Sequence, residues 1–266
     1  MQHNNLSLGD IVKMQISNSV ALVTGANGGI GSHFVEQLLQ REAAKIYVCA
    51  RSLEKLNGLV ALDPFRIVPI ALDVTNPQSV EAAANNCQDV TLLINNAGTS
   101  LNQGLIAAAN LDSARAEIEV NYFGMLSMCR AFAPVLRQNG GGAIVNILSL
   151  LGQVNLPFSG SYSASKAAAI SMTQGVRAEL ATQNTLVVAV MPGTVDTDLA
   201  AEWPNPKVAP VEVAKAALQA LIDNVEDVYP GEQAKTVSAL LLSDPKGAEK
   251  YMAKFLPGMK LAGTNA

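Results

Sequence analysis

Val20-Ala-Leu-Val-Thr24 runs without a break into Gly25-Ala-Asn27-Gly28-Gly29-Ile30-Gly31, and the residues after it carry the apolar spacing of an amphipathic helix. A short β-rich run, a glycine-rich turn and a helix in that order form the opening unit of a dinucleotide-binding sheet. A glycine cluster alone would mean no more than a tight turn. Here Gly25 allows the turn, while Gly29 and Gly31 let backbone approach a diphosphate at the helix N-terminus and let the helix close onto the strand.

Outward from that unit, apolar runs and helical patterns alternate. The runs are at Ile46–Ala50, Arg66–Ala71, Val90–Ile94, Ala143–Leu148 and Leu186–Met191, and helices are predicted at about 29–41, 52–60, 76–86, 112–138, 161–182 and 211–223. Unbroken apolar strands are buried on both faces, so the fold class read here is α/β, a doubly wound parallel sheet of Rossmann type. No repeat or linker divides residues 14–266, which read as a single domain. Residues 1–13 carry no apolar periodicity and are expected to form a disordered leader. After Asp227-Val-Tyr-Pro-Gly231 the pattern changes to two short helices, Ala234–Leu242 and Pro245–Phe255, expected to pack on the sheet or on another subunit.

Composition narrows the function. Of 266 residues 49% are hydrophobic and 15% charged, with a net charge of −4, so there is material for a large core and no basic block to track a nucleic acid. The longest uncharged stretch, Gln138 to Ser165, is interrupted by Asn146, Gln153, Asn155 and Pro157 and reads as a buried strand plus a loop, not a membrane span. The N-terminus lacks the apolar core of a secretory signal, which implies a cytoplasmic protein. Cys49, Cys87 and Cys129 are widely separated and sit in apolar or helical surroundings, as reduced core thiols do. His3 and His33 are the only histidines and no metal-ligand spacing surrounds them, so no metal site is expected.

Two further patterns carry chemistry. At the end of the second strand, where an acid would accept hydrogen bonds from a ribose 2′-hydroxyl, stand Arg51 and Ser52. A planar cation with a neighbouring hydroxyl suits a 2′-phosphate, which favours NADP(H) over NAD. The plainer reading of Arg51 is a solvated charge opening a helix. In Ser161-Tyr162-Ser-Ala-Ser-Lys166 the phenol and ammonium are one helical turn apart, and Ser149 lies thirteen residues before the tyrosine. Tyrosine ordinarily ionises near pH 10, and bringing that to neutrality takes about 4 kcal/mol, which a lysine together with an oxidised, positively charged nicotinamide would supply. Taken alone, Tyr-x-x-x-Lys is most often a solvated helical pair.

With these motifs assembled, the stretch from Ser17 to Asp198 resembles the short-chain dehydrogenases/reductases in their single-domain branch. The resemblance implies that Gly25, Asn27, Gly28, Gly29, Ile30 and Gly31 form the cofactor turn, and that Asp73 and Val74 hold the adenine. It implies that Asn95, Ala97 and Gly98 close the fourth strand beside the cofactor, and that Pro192, Gly193, Val195 and Thr197 contact the nicotinamide carboxamide. Asn121, Ser149, Tyr162 and Lys166 fall on the catalytic tetrad, with Asn121 holding a water linked to Lys166. Plainer readings remain for two of these, Asn121 as a helix-interior amide bonded to backbone and Asp73 as a helix cap.

The activity implied is NADP(H)-dependent interconversion of a ketone or aldehyde and an alcohol, with Tyr162 as proton donor. A non-catalytic NADP(H)-binding sensor and, less so, a sugar-nucleotide epimerase or dehydratase are the alternatives. The apolar loop Leu150–Ser159 and Trp203 suit an apolar carbonyl substrate, or else packing against a partner subunit, and the short 198–210 segment suits an open site. Association as a homodimer is expected through the helices at 112–138 and 161–182, whose outer faces carry Ala164, Ala167, Ala168 and Gly175. The tail departs from the family pattern, which puts assembly into a tetramer by that route in doubt.

Overall fold

The computed structural model describes residues 14–201, 203–204 and 206–258, so the expected leader lies outside the described residues. Seven strands form one parallel sheet: β1 Val20–Thr24, β2 Lys45–Ala50, β3 Ile67–Ala71, β4 Leu92–Asn95, β5 Gly142–Ile147, β6 Thr185–Val190 and β7 Asp227–Val228. Their order is β3-β2-β1-β4-β5-β6-β7. The chain therefore winds one way from β1 to β3 and the other way from β4 onward, leaving a crevice where the carboxyl ends of β1 and β4 meet.

The absence of alternation in the strands has a direct cause. On β1, Ala21 and Val23 enter one core layer and Leu22 the other, and on β4 Leu92 and Ile94 oppose Leu93 in the same way. Helices α1 (Gly29–Gln40) and α7 (Pro210–Asp223) cover the first face. Helices α3 (Pro77–Asn86) and α5 (Met125–Gln138) cover the second, with α2 (Asn57–Val60) a single turn at the sheet edge. Pro69 is tolerated in β3 because β3 is an edge strand with one unpaired side.

Three elements differ from the sequence expectation, the first being the helix expected at 52–60, which is a 3-10 turn, Leu53–Leu56, followed by the single α turn of α2. The stretch expected as one helix at 112–138 is α4 (Asp112–Ile118), a π-helical segment Glu119–Gly124 and α5, so the α ladder is interrupted at Asn121. The 227–231 stretch also contributes β7, which pairs parallel to β6 through Ala189–Asp227 and Val190–Val228. Beyond α6 (Gly160–Leu180), helices α8 (Glu232–Ser243) and α9 (Pro245–Met252) follow β7 and pack on each other. Among the described residues no helix is long and apolar enough to cross a membrane.

Candidate active site

A cavity of about 1190 Å³ opens over the carboxyl ends of the strands, and one half of it is made of backbone. Thr24, the last residue of β1, ties the crevice together: its Oγ1 accepts the N–H groups of Asn96 and Ala97, both at 2.9 Å. Asn96 Nδ2 in turn donates to the carbonyls of Thr24 and Gly25, both at 3.0 Å. These bonds hold the glycine turn against the end of β4. Asn96 went unnoticed in the sequence between Asn95 and Ala97, and the available signal was a polar side chain at a strand end facing a turn that needs donors.

The glycines have different duties. Gly25 has φ +62 and Gly29 φ +52, the left-handed region that side chains resist. A Cβ at Gly31 would collide with the Gly25 carbonyl and lie 2.7 Å from Asn96 Nδ2, so Gly31 permits the helix to close on the turn and does not line the cavity. At Gly28 a Cβ would meet nothing within 4 Å. The turn thus presents open backbone at the N-terminus of α1, where helix N–H groups favour an anion.

Arg51, exposed, reaches the cavity rim after β2, while Ser52 stands just outside the lining. Asp73 Oδ1 accepts the Thr75 N–H at 3.0 Å and the Thr75 hydroxyl at 2.7 Å, and these bonds, with help from Arg51, hold its carboxyl below the usual carboxylate range. The cap of α3 is Asn76, whose Oδ1 accepts Ser79 N–H at 3.0 Å, so Asp73 is free of that duty. Val74, Ala97 and Gly98 line the cavity. Asn95 does not: it is buried, donating through Nδ2 to Asn146 Oδ1 at 2.9 Å in a polar core chain that continues to Thr173.

The other half is built of side chains. Ser149 follows β5, and its Oγ accepts Leu151 N–H at 3.1 Å. The Leu150 N–H donates to the Pro192 carbonyl at 3.0 Å, tying this turn to the segment after β6. Tyr162 and Lys166 project from the first turns of α6 into the cavity, and Lys166 Nζ lies 5.8 Å from the Tyr162 ring centroid while donating to the Ile147 carbonyl at 2.9 Å. Burial drives the Lys166 ammonium down to about 8. Burial also pushes the Tyr162 phenol up to about 12, with the nearby Ser149 hydroxyl pulling the other way and the Glu117 carboxylate adding to the rise. Desolvation thus decides the direction at the phenol, and the lowering expected from the lysine does not appear.

Asn121 lies below this floor, fully buried in the π segment. Its Nδ2 donates to the Thr99 carbonyl at 2.8 Å and to Ser165 Oγ at 2.9 Å, and its Oδ1 accepts Thr99 N–H at 2.9 Å. The amide thus bonds to backbone, as its plainer reading had it, and joins the loop after β4 to α6 beside Lys166. Pro192, Gly193, Val195 and Thr197 line the cavity opposite the glycine turn, with Thr197 Cγ2 facing Gly29.

The outer end of the cavity is apolar. Leu156 and Met252 form the centre of a cluster with Leu151, Phe158, Trp203, Val237 and Phe255, and Phe158 meets Trp203 edge to face at 5.1 Å. Phe158 N–H also donates to the Phe255 carbonyl at 2.9 Å, which docks the chain after α9 onto the loop after β5. Helices α8 and α9 therefore wall the cavity, a duty the sequence did not disclose. Among the described residues no group of three or more His, Cys, Asp or Glu is placed to hold a metal ion. Cys49, Cys87 and Cys129 are free and buried.

Comparison with known proteins follows the same lines. Residues 19–208 match the family model described as short chain dehydrogenase. A short-chain dehydrogenase from Burkholderia cenocepacia, solved in complex with NADP, is 45% identical, with a TM-score of 0.86 over 90% of this chain and 99% of that one. A short-chain dehydrogenase from Streptomyces avermitilis is 27% identical, with a TM-score of 0.77 over 90% of this chain and 97% of that one. An uncharacterized oxidoreductase of Staphylococcus aureus strain USA300 is 35% identical over 217 residues, covering 77% of this chain and 92% of that protein. The glycine turn, the serine, tyrosine and lysine around one cavity, and the match over most of the sheet place this chain in the short-chain dehydrogenase family.

Proposed function

We propose that the protein is an NADP(H)-dependent carbonyl reductase or alcohol dehydrogenase acting on a mainly apolar ketone or aldehyde. The observation that carries this reading is the convergence of Ser149, Tyr162 and Lys166 on the cavity into which the glycine turn also opens. The residues fit the cofactor: Gly31 is closed by backbone, Gly28 is open, and Arg51 stands at the rim where a 2′-phosphate would lie. The Burkholderia relative, solved with NADP, supports the same choice. When bound, the reduced cofactor would supply a hydride, and its oxidised form would bring a positive charge to the site.

The remaining chemistry belongs to the chain. The turn from Gly25 to Gly31 and the N-terminus of α1 would hold the diphosphate, Arg51 would pair with the 2′-phosphate, and Asp73 and Val74 would lie at the adenine. Pro192 to Thr197 would hold the nicotinamide end. Ser149 Oγ donates a hydrogen bond to the substrate carbonyl oxygen, and Tyr162 Oη delivers a proton to it. A phenol raised to about 12 keeps its proton until the substrate oxygen becomes an alkoxide, a far stronger base, so the transfer is downhill in the direction of reduction. In the direction of oxidation the same burial opposes loss of the phenolic proton, and the Ser149 hydroxyl offsets part of it. Asn121 acts by seating the Thr99 loop and α6.

The test is the absorbance of NADPH and NADH in the presence of a panel of apolar aldehydes and ketones. Turnover is expected with NADPH preferred, and Arg51→Asp should erode that preference, since NADH lacks the phosphate that the guanidinium pairs with. Equal or better use of NADH by the unaltered protein would overturn the cofactor assignment. Tight NADPH binding with no turnover across the panel would favour the sensor reading.

The protein is also proposed to associate as a homodimer in the cytoplasm. Its support is the outer face of α6, where Ala164, Ala167 and Gly175 are exposed and a shallow hollow is lined by Tyr122, Leu126 and Met172. Light scattering should return twice the chain mass, and a stable monomer at micromolar concentration would contradict it.

A further inference from the structure

Helix α8 runs along the cavity, and its register is pinned at the reactive end. Gln233 Oε1 accepts the Thr194 N–H at 2.8 Å, and Gly193 packs directly against the same side chain. That segment is bonded through Pro192 to the turn that begins at Ser149, and α8 itself packs on the Leu150–Gly152 turn. From Gln233 onward, Thr236, Val237 and Leu240 continue to line the cavity. Positions i, i+3, i+4 and i+7 make one stripe, and seven residues at a rise of about 1.5 Å put Leu240 roughly 10 Å farther from the reactive end.

The stripe faces an apolar wall of Leu151, Leu156, Trp203, Met252 and Phe255. Among the described residues the charged groups that line the cavity are Arg51, Asp73, Lys166, Asp198 and Glu232. The two cations are committed to the cofactor rim and the reactive end. The acids would repel an anionic tail, and the stretch from Thr236 to Leu240 offers no charge to either sign.

We propose that the substrate is an elongated, uncharged carbonyl compound whose apolar tail lies along α8 from Gln233 toward Leu240. The proposal rests on the carbonyl-reductase reading and adds the shape and charge of the molecule. With C–C bonds of about 1.5 Å an extended chain advances roughly 1.25 Å per carbon, so a 10 Å groove holds a tail of about eight carbons. The tail excludes water from the reactive end by filling the space between α8 and the apolar wall.

Straight-chain aldehydes from four to twelve carbons test it with NADPH as reductant. Each methylene buried is worth about fourfold in kcat/KM, and allowing for partial burial the rise from four to eight carbons should be at least about tenfold, then level off. The eight-carbon aldehyde ending in a carboxylate should fall well below its neutral counterpart. Leu240→Trp should lower the ratio of ten-carbon to four-carbon kcat/KM by about tenfold.

A second readout is independent of turnover. Trp203 is the only tryptophan and lines the groove, so a redox-inert fatty amide of eight carbons should change its fluorescence at lower concentration than one of four. A flat length profile in both rate and fluorescence, or equal use of the carboxylate-ended chain, would overturn the groove proposal. Length-dependent fluorescence with no reduction of any aldehyde would uphold the groove and overturn the carbonyl-reductase reading beneath it.

Discussion

The two ends of the cavity are built from different materials. At the cofactor end the surface is main chain: Gly25 and Gly29 in left-handed conformation, Gly31 closed against the Gly25 carbonyl, and Asn96 bonded to two carbonyls of the turn. At the other end it is side chains, with Val237 and Trp203 partly buried against Met252 and Leu240 lining the cavity beside them. A backbone surface tolerates few sequences, because only glycine fits where a Cβ would clash. An apolar helical face tolerates many, because hydrophobic residues of similar volume replace one another at modest cost. One fold can therefore keep its cofactor end and vary its substrate end, and the length of α8 and α9 becomes a way to set substrate shape.

The sharpest way to break this contrast is to put a side chain into the backbone surface. Gly31→Ala forces a methyl group onto Asn96 Nδ2 at 2.7 Å and the Ala26 Cα at 2.9 Å. Overpacking of this kind costs about 3 kcal/mol, so NADPH affinity or folding stability should fall by about that amount, roughly a hundredfold in an equilibrium constant. Gly28→Ala is its control for folding stability alone: φ is 176, which any residue adopts, and the new Cβ meets no protein atom within 4 Å, although Gly28 lines the cavity assigned to the cofactor. Thermal melts distinguish the two, and NADPH titration compares Gly31→Ala with the unaltered protein. A Gly31→Ala protein that melts and binds like the unaltered one would mean that the turn is not held as tightly as its hydrogen bonds imply.

A smaller effect separates function from stability at the junction of the two ends. Burial lowers the Lys166 ammonium from its ordinary 10.5 to about 8, so between those values the unfolded chain binds more protons than the native state. Stability then rises with pH across that window, and the penalty for burying the charge is full below pH 8. Lys166→Met should therefore raise stability at pH 7 by about 2 kcal/mol, after allowing for the lost bond to the Ile147 carbonyl. The gain should shrink above pH 8, vanish at about pH 9.5 and become a small loss above that, where only the missing hydrogen bond counts, while turnover is lost throughout. Denaturant melts at pH 7 and pH 10 measure it. A variant less stable than the parent at pH 7 would mean that the lysine's hydrogen bond outweighs its desolvation.

The same division explains what could be read in the sequence. β1 and β4 were legible because burial on both faces leaves an unbroken apolar run, and the turn was legible because its glycines are fixed by conformation. Arg51, Ser149, Tyr162 and Lys166 all reach the cavity, each on the element expected for it. The π segment at Asn121 was not legible, since the same residues suit an unbroken helix and the interruption comes from tertiary contacts with Thr99 and Ser165. β7 is two residues long, too short for any periodicity. Helices α8 and α9 were visible as helices. Their apolar faces would look the same against a sheet, a subunit or a cavity, so their place in the cavity wall came only from the fold.

Tyr162 is proposed as the proton donor in a carbonyl reduction. Tyr162→Phe removes one oxygen and leaves the ring, Lys166, Arg51 and the glycine turn in place. NADPH affinity, followed by fluorescence titration, should change little. Steady-state reduction of an apolar aldehyde that the unaltered protein accepts should fall by at least about a hundredfold, as expected when a general acid is lost. Near-normal turnover in the Tyr162→Phe protein, with NADPH still bound, would contradict the claim.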